Sequence, residues 1–286
     1  MIDKKNDTLI SLINEHYDTL PKSEKKLADV LLDFPGEIAA YTATELAKIA
    51  GVSKAAATRF FKRLGFANFE EARRLARHSK NWGSPLYLQS KSHTDVTSDQ
   101  YFQQYFQEES ANLADTLHNL SASEMNDVCQ ALISAKRLWI VGFRNSHYIA
   151  AYARWQFIQF RPNVFLLPSG TGETLGENLA ELLPDDLVMV IGVRRRVTNL
   201  PKIMKTIHQK NVPILYLTDP TASKTSEYAK WVFKCTVANS FLFDSYTSLM
   251  SLTRFLAIES FRRSGKSGRD HLKSIENLHK TLDEFE

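Results

Sequence analysis

The chain has 286 residues, 43% apolar and 24% charged, which is long enough for two domains and unlike disordered, collagen-like or disulfide-stapled chains. Its two distant cysteines, Cys129 and Cys235, argue against a metal cluster or a secreted disulfide framework, and no apolar run approaches the ~20 residues of a bilayer span, which points to a cytoplasmic setting without a membrane partner. The formal net charge of +4 is uneven: residues 48–80 hold nine basic side chains against two acidic ones, a candidate footprint for a polyanion.

The opening residues lack the apolar block of a signal peptide. In "LPKSEKKLADVLLDFP", Leu27, Val30, Leu31 and Phe34 recur at helical spacing, Ser23 is placed to cap, and Pro35-Gly36 to stop the helix. "TATELAKIAGVSKAAATRFFKRLGF" then reads as two short helices, the first capped by Thr44 and the second by Ser53, joined at Gly51. That spacing is a helix-turn-helix. Leu46, Ala47, Ala50, Val52, Ala57, Phe60 and Leu64 supply the apolar angle between them, and Lys54, Ala55, Thr58, Arg59 and Lys62 lie opposite. Short residues admit the backbone to a major groove, while Arg and Lys reach bases or phosphates. Ser53, Lys54, Thr58 and Arg59 are therefore expected at base edges, and Lys62, Arg63, Arg73 and Arg74 at phosphates.

Residues 1–80 thus form a helix-turn-helix DNA-binding domain, and 81–98, rich in turn formers and without period, a linker. From 99 to 286 a helical stretch bearing Phe102, Phe106, Leu113 and Leu117 on one stripe, and a further helix opened by Ser121, lead into an α/β domain. Apolar runs at 137–143, 164–168, 186–193, 212–219 and 230–235 alternate with helical segments, the pattern of a doubly wound parallel sheet. A long helix with Leu249, Leu252, Phe255 and Leu256 on one side follows, with Ser240, Asp244, Ser245 and Thr247 near its start, and then a basic connector and a final amphipathic helix.

Ligands of such sheets bind beyond the carboxyl ends of the strands, where helix N-termini attract anions. In the first turn Gly142 permits a sharp bend, and Ser146 is expected to cap the next helix beside Arg144 and Asn145. In the second, Ser169, Thr171 and Glu173 line the same mouth. In the third, Arg194, Arg195 and Arg196 precede a helix opening near Thr198 and Pro201. Cations at a helix N-terminus are disfavoured by ~0.3–1 kcal/mol each, so the triplet calls for a shared anion or for salt bridges to Asp185, Asp186 or Asp219.

This order, from "LPKSEKKLADVLL" through "ATELAKIAGVSKAAATRFFKRLGF" to "RLWIVGFRNSHYIA", resembles the RpiR family of bacterial transcription regulators over nearly the whole chain. The resemblance implies a C-terminal sugar-isomerase-type (SIS) effector domain, with Ser146 matching the first phosphate-cradling hydroxyl of members that bind phosphosugars. The third turn departs from the family's hydroxyl-rich loop by carrying Arg194, Arg195 and Arg196. Planar guanidinium forks suit carboxylates as well as phosphates, so the expected effector is a small anionic metabolite, either class included. The expected partners are operator DNA, that metabolite and a second copy of the chain as dimer or tetramer; no cofactor is expected. The competing readings are a sugar-phosphate isomerase using His147, Glu173, Glu177 or Asp244 as base, and a DNA-binding dimer indifferent to ligand.

Overall fold

A computed structural model describes residues 9–33, 38, 42–78, 97–170, 174–222, 225–237, 239–241 and 243–285. The chain divides into two compact units, Met1–Ser110 with Thr221–Ser223 and Ala238–Ser245, and Ala111–Pro220 with Lys224–Val237 and Tyr246–Glu286. The expected stop at Pro35-Gly36 and residues 81–96 of the expected linker lie outside the described residues.

In the first unit the described helices are α1 (Leu9–His16), α2 (Lys22–Asp33), α3 (Ala43–Ile49), α4 (Lys54–Arg63) and α5 (Phe69–His78), followed by the start of α6 (Ser98–His118). Ser23 falls inside α2 rather than at its cap. Helix α3 starts two residues earlier than a Thr44 cap would set it, because Thr42 and Glu45 form a reciprocal capping box: Glu45 N–H donates to Thr42 Oγ1 (3.3 Å) and Thr42 N–H to Glu45 Oε2 (2.7 Å). The Thr42 N–H first, and then the Thr42 hydroxyl, which donates to Glu45 Oε2 at 2.9 Å, hold the Glu45 carboxyl below its usual range. Ser53 caps α4 as its sequence implies, accepting from Ala56 N–H at 3.1 Å. Between the two helices Gly51 takes φ +62, a left-handed conformation that side chains resist, and the chain turns sharply there. The apolar angle of the motif is closed: Leu46, Ala47, Ala57, Phe60, Phe61 and Leu64 are buried in one cluster with Leu27 and Leu31 of α2.

The second unit carries the C-terminal part of α6, then α7 (Ala122–Ser134), capped by Ser121, and the α/β core. Its elements are β1 (Leu138–Gly142), α8 (Asn145–Ile158), β2 (Val164–Leu167), α9 (Leu175–Ala180), β3 (Leu187–Gly192), α10 (Leu200–Gln209), β4 (Ile214–Thr218), β5 (Trp231–Lys234) and α11 (Thr247–Leu282). All five strands pair in parallel in the order β2-β1-β3-β4-β5. Every residue of β1, β3 and β4 is buried, so both faces of the central strands are covered, whereas the edge strand β5 alternates. The connector expected after residue 260 is instead helix, interrupted only at Gly265, where φ is +62.

The lower end of the sheet is locked by charge. Arg137 grips Asp186 with two parallel bonds of 2.8 and 2.7 Å, and Leu183 N–H adds a third donor at 2.9 Å. Burial works to raise the Asp186 carboxyl, but these donors outweigh it and hold it below its usual range. Asp186 is therefore committed away from the arginine triplet.

Candidate functional site

Helix α4 presents Ser53, Lys54, Ala55, Thr58, Arg59, Lys62 and Arg63 to solvent while Ala56, Ala57, Phe60 and Phe61 face inward. The short side chains at one end and the cations at the other give the profile that a duplex groove accepts. Three of these residues also have internal tasks. The Ser53 hydroxyl serves as cap, the Thr58 hydroxyl donates to Lys54 O at 3.1 Å, and Arg63 Nε donates to Glu24 Oε2 at 2.9 Å. Glu24 is 2% exposed, and Arg59 Nε lies 3.9 Å from its other oxygen. On α5, Arg74 is exposed and Arg73 pairs with Glu70 at 3.4 Å.

In the α/β unit the strand order reverses between β1 and β3, and the ligand crevice of such sheets is expected beyond Gly142 and Gly192. A Cβ on Gly142 would sit 2.5 Å from Ser146 O and 2.8 Å from Ala150 Cβ, so only glycine lets α8 approach β1 this closely. Helix α8 begins at Asn145, with Arg144 at its cap position in a φ 53, ψ −129 conformation that costs a side-chain-bearing residue ~1–3 kcal/mol. Ser146 consequently does not cap the helix from outside but lies in its first turn, 4% exposed, with Oγ accepting from Val193 N–H at 3.4 Å. That bond joins the β1 turn to the β3 turn.

The three arginines of the β3 turn separate. Arg196 is folded back over the strand ends: Nε donates to Gly192 O and Tyr216 OH, both at 3.1 Å, and Nη2 to Thr218 Oγ1 at 3.3 Å and Asp219 Oδ2 at 2.5 Å. Asp219, fully buried, also accepts from Arg194 N–H at 2.9 Å and so ties both ends of the turn. Arg194 is 8% exposed, while Arg195, Thr198, Arg144 and Asn145 are exposed. Ser169 is exposed in the β2 turn, and Thr171 lies outside the described residues. Helix α10 opens at Leu200 with Asn199, not Thr198, at its cap. Sequence reading left Tyr216 and Thr218 out of the site, their signal being the polar end of an otherwise apolar strand, "LYLTD"; Asp219, one of the three aspartates offered to the triplet as partners, does take Arg196.

The crevice offers little to acid-base chemistry. His147 Nδ1 is 3.3 Å from Gly142 O, Glu177 pairs with Thr174 at 2.5 Å, and Glu173 lies outside the described residues. Burial, with the nearby Asp219 charge, pushes the Cys235 thiol up to about 12, so it stays protonated and is no nucleophile. Among the described residues no group of His, Cys, Asp and Glu side chains has the arrangement to hold a metal ion, and no helix is long and apolar enough to cross a membrane.

The chain matches the helix-turn-helix domain of the rpiR family over residues 8–78 and the SIS domain over residues 131–259. It is 25% identical over 213 residues to the HTH-type transcriptional regulator HexR of Pseudomonas aeruginosa, covering 73% of each chain. Among solved structures it is similar to the sugar isomerase domain of an RpiR transcription factor from Sphaerobacter thermophilus, at 22% identity and a TM-score of 0.56, over 60% of this chain and 96% of that one. It is also similar to the NanR protein of Vibrio vulnificus complexed with ManNAc-6P, at 13% identity and a TM-score of 0.56, over 96% and 99% of the two chains.

Proposed function

This chain, with its rpiR-family helix-turn-helix domain and its SIS domain, belongs to the RpiR family of transcription regulators, and from that premise we propose that it binds operator DNA through α4 and is regulated by a small anionic metabolite held at the crevice between β1 and β3. Regulation rather than catalysis accords with the names of its relatives, which are transcription regulators.

The observation that carries the DNA-binding half is the exposed face of α4. Lys54 and, one turn further on, Thr58 and Arg59 follow a capped N-terminus and reach base edges, with Ser53 at the entry. Lys62 and Arg74, with Arg73 beside its glutamate, supply phosphate contacts that set affinity and register. Two copies present two such helices to major-groove faces ~34 Å apart. Self-association is supported by exposed apolar side chains at Phe102 and Phe106 on α6 and at Tyr148 and Trp155 on α8. A regulator that works on the chromosome acts in the cytoplasm.

For the effector, two helix N-termini and the exposed guanidiniums of Arg144 and Arg195 attract negative charge, and the Ser146 hydroxyl and the Gly142 turn give it a floor. Arg194 and Thr198 flank that position, and Arg196 shapes it through Asp219. The solved neighbour that holds a phosphorylated amino sugar makes sugar phosphates the first class to test, with carboxylates second. Arg59→Ala is expected to weaken binding to the operator by ~1–3 kcal/mol and to relax preference at one base pair, whereas Arg74→Ala weakens all duplexes alike and flattens the salt dependence. Anisotropy titrations against a selected duplex and a scrambled one measure both. Equal loss of preference from the two changes would refute this division of roles.

A further inference from the structure

Glu24 is an acid where the pattern of α2 calls for an apolar residue. Positions 24, 27, 28 and 31 form one helical stripe, and Leu27, Ala28 and Leu31 are fully buried in the helix-turn-helix core. Glu24 itself is 2% exposed, and its carboxylate meets Arg63 of α4 at 2.9 Å with Arg59 at 3.9 Å. Both arginines lie on the face of α4 assigned to DNA, with side chains 45% and 62% exposed.

We propose that Glu24 is a specificity-determining positioning residue: it withholds Arg63 from phosphate and orients Arg59 toward the bases, lowering affinity for random DNA in favour of the operator. This rests on the DNA-binding reading of α4. A buried carboxylate strongly disfavours losing the nearest of its described cations, since its charge would be left with Arg59 at 3.9 Å as the described cation beside it. A phosphate approaching Arg63 therefore competes with a partner already in place, and meets the negative charge of Glu24 behind it. The same carboxylate restrains the Arg59 side chain, whose fork then loses less rotamer freedom when it meets a base. Sequence-independent affinity comes from the number of phosphates neutralised, so subtracting one cation from that set lowers random binding more than operator binding.

The test uses the full chain, a duplex it selects from a random pool, and a scrambled duplex, both titrated by anisotropy from 50 to 200 mM salt. In Glu24→Gln the amide keeps a hydrogen bond to Arg63 but not the charge. Its affinity for the scrambled duplex should rise ~3–10-fold at low salt. The slope of log K against log salt should steepen by about 0.9, the value for one further phosphate contact. The ratio of selected to scrambled affinity should fall. The double variant Glu24→Gln/Arg63→Gln should return to the wild-type slope, because it deletes a pair that neutralises no phosphate. An unchanged slope in the single variant would overturn the proposal, as would both affinities falling by one factor, which marks a packing role alone. Should Glu24→Gln not fold, the double variant decides: a slope shallower than wild type by about 0.9 shows Arg63 on phosphate and overturns it. Wild-type protein that binds neither duplex would instead remove the DNA-binding reading itself.

Discussion

Asp219→Ala is expected to destabilise the α/β unit by ~3–5 kcal/mol, a large share of the ~5–15 kcal/mol that holds a domain together. The carboxylate is fully buried and is the anion for a guanidinium whose side chain is 8% exposed. Removing it takes from Arg196 its 2.5 Å ionic partner and leaves the guanidinium above the strand ends against Gly192 O, Tyr216 OH and Thr218 Oγ1, all neutral. Arg194 N–H loses its acceptor at the same time, so the β3 turn is freed at both ends. Asp219→Asn, which can still accept from Arg194 N–H, should cost clearly less. Denaturant unfolding followed by tryptophan fluorescence reports on this unit through Trp139, which is buried in β1. A loss below ~1 kcal/mol for the alanine variant would mean that the pair is incidental to the turn.

Phe60→Ala should remove ~3–5 kcal/mol from the helix-turn-helix, the usual cost of a deleted buried aromatic and the cavity it leaves. Phe60 is fully buried, meets Phe61 edge to face at 5.1 Å, and Phe61 in turn meets Phe69 of α5 at 5.2 Å. One truncation therefore loosens α4 from the helices that orient it. Small domains of this size have little stability in reserve. The expected result is loss of duplex binding at temperatures where the wild-type chain binds, while the sheet unit keeps its own unfolding transition. Binding within twofold of wild type would contradict the packing assigned to α4.

The parts of the fold written in short-range pattern were legible. Five apolar runs became five parallel strands, and Gly51 with Ser53 marked the turn and the second helix of the motif. These depend on periodicity, caps and breakers within a few residues of one another. Errors entered where one polar residue stood beside another of the same kind. Thr42 and Thr44 stand two residues apart where α3 begins, and the reciprocal bond to Glu45 selects the former as cap, leaving Thr44 in the first turn. Ser146 reads as a cap, yet its hydroxyl turns to a strand end 47 positions away. Glu24 was illegible as an organiser because its partner comes from another element, 39 positions away, and Asp219 could be named only as one of three aspartates open to the arginines, its partner lying 23 positions away. A charge on an apolar stripe, or at the polar end of a buried strand, is the only local trace of such pairs. The division among Arg194, Arg195 and Arg196 likewise follows from where Asp219 lies, which no adjacent residue encodes.

The proposed regulation couples an anion at the β1–β3 crevice to DNA at α4. The most direct measurement is the affinity of the full-length protein for its selected duplex, read by anisotropy at constant ionic strength, with and without each member of a panel of sugar phosphates and small carboxylates. At least one compound should change that affinity by ~5–150-fold, the range of ordinary allosteric coupling, and the duplex should shift the compound's own affinity by the same factor. Tight duplex binding that no anion in the panel alters would contradict it.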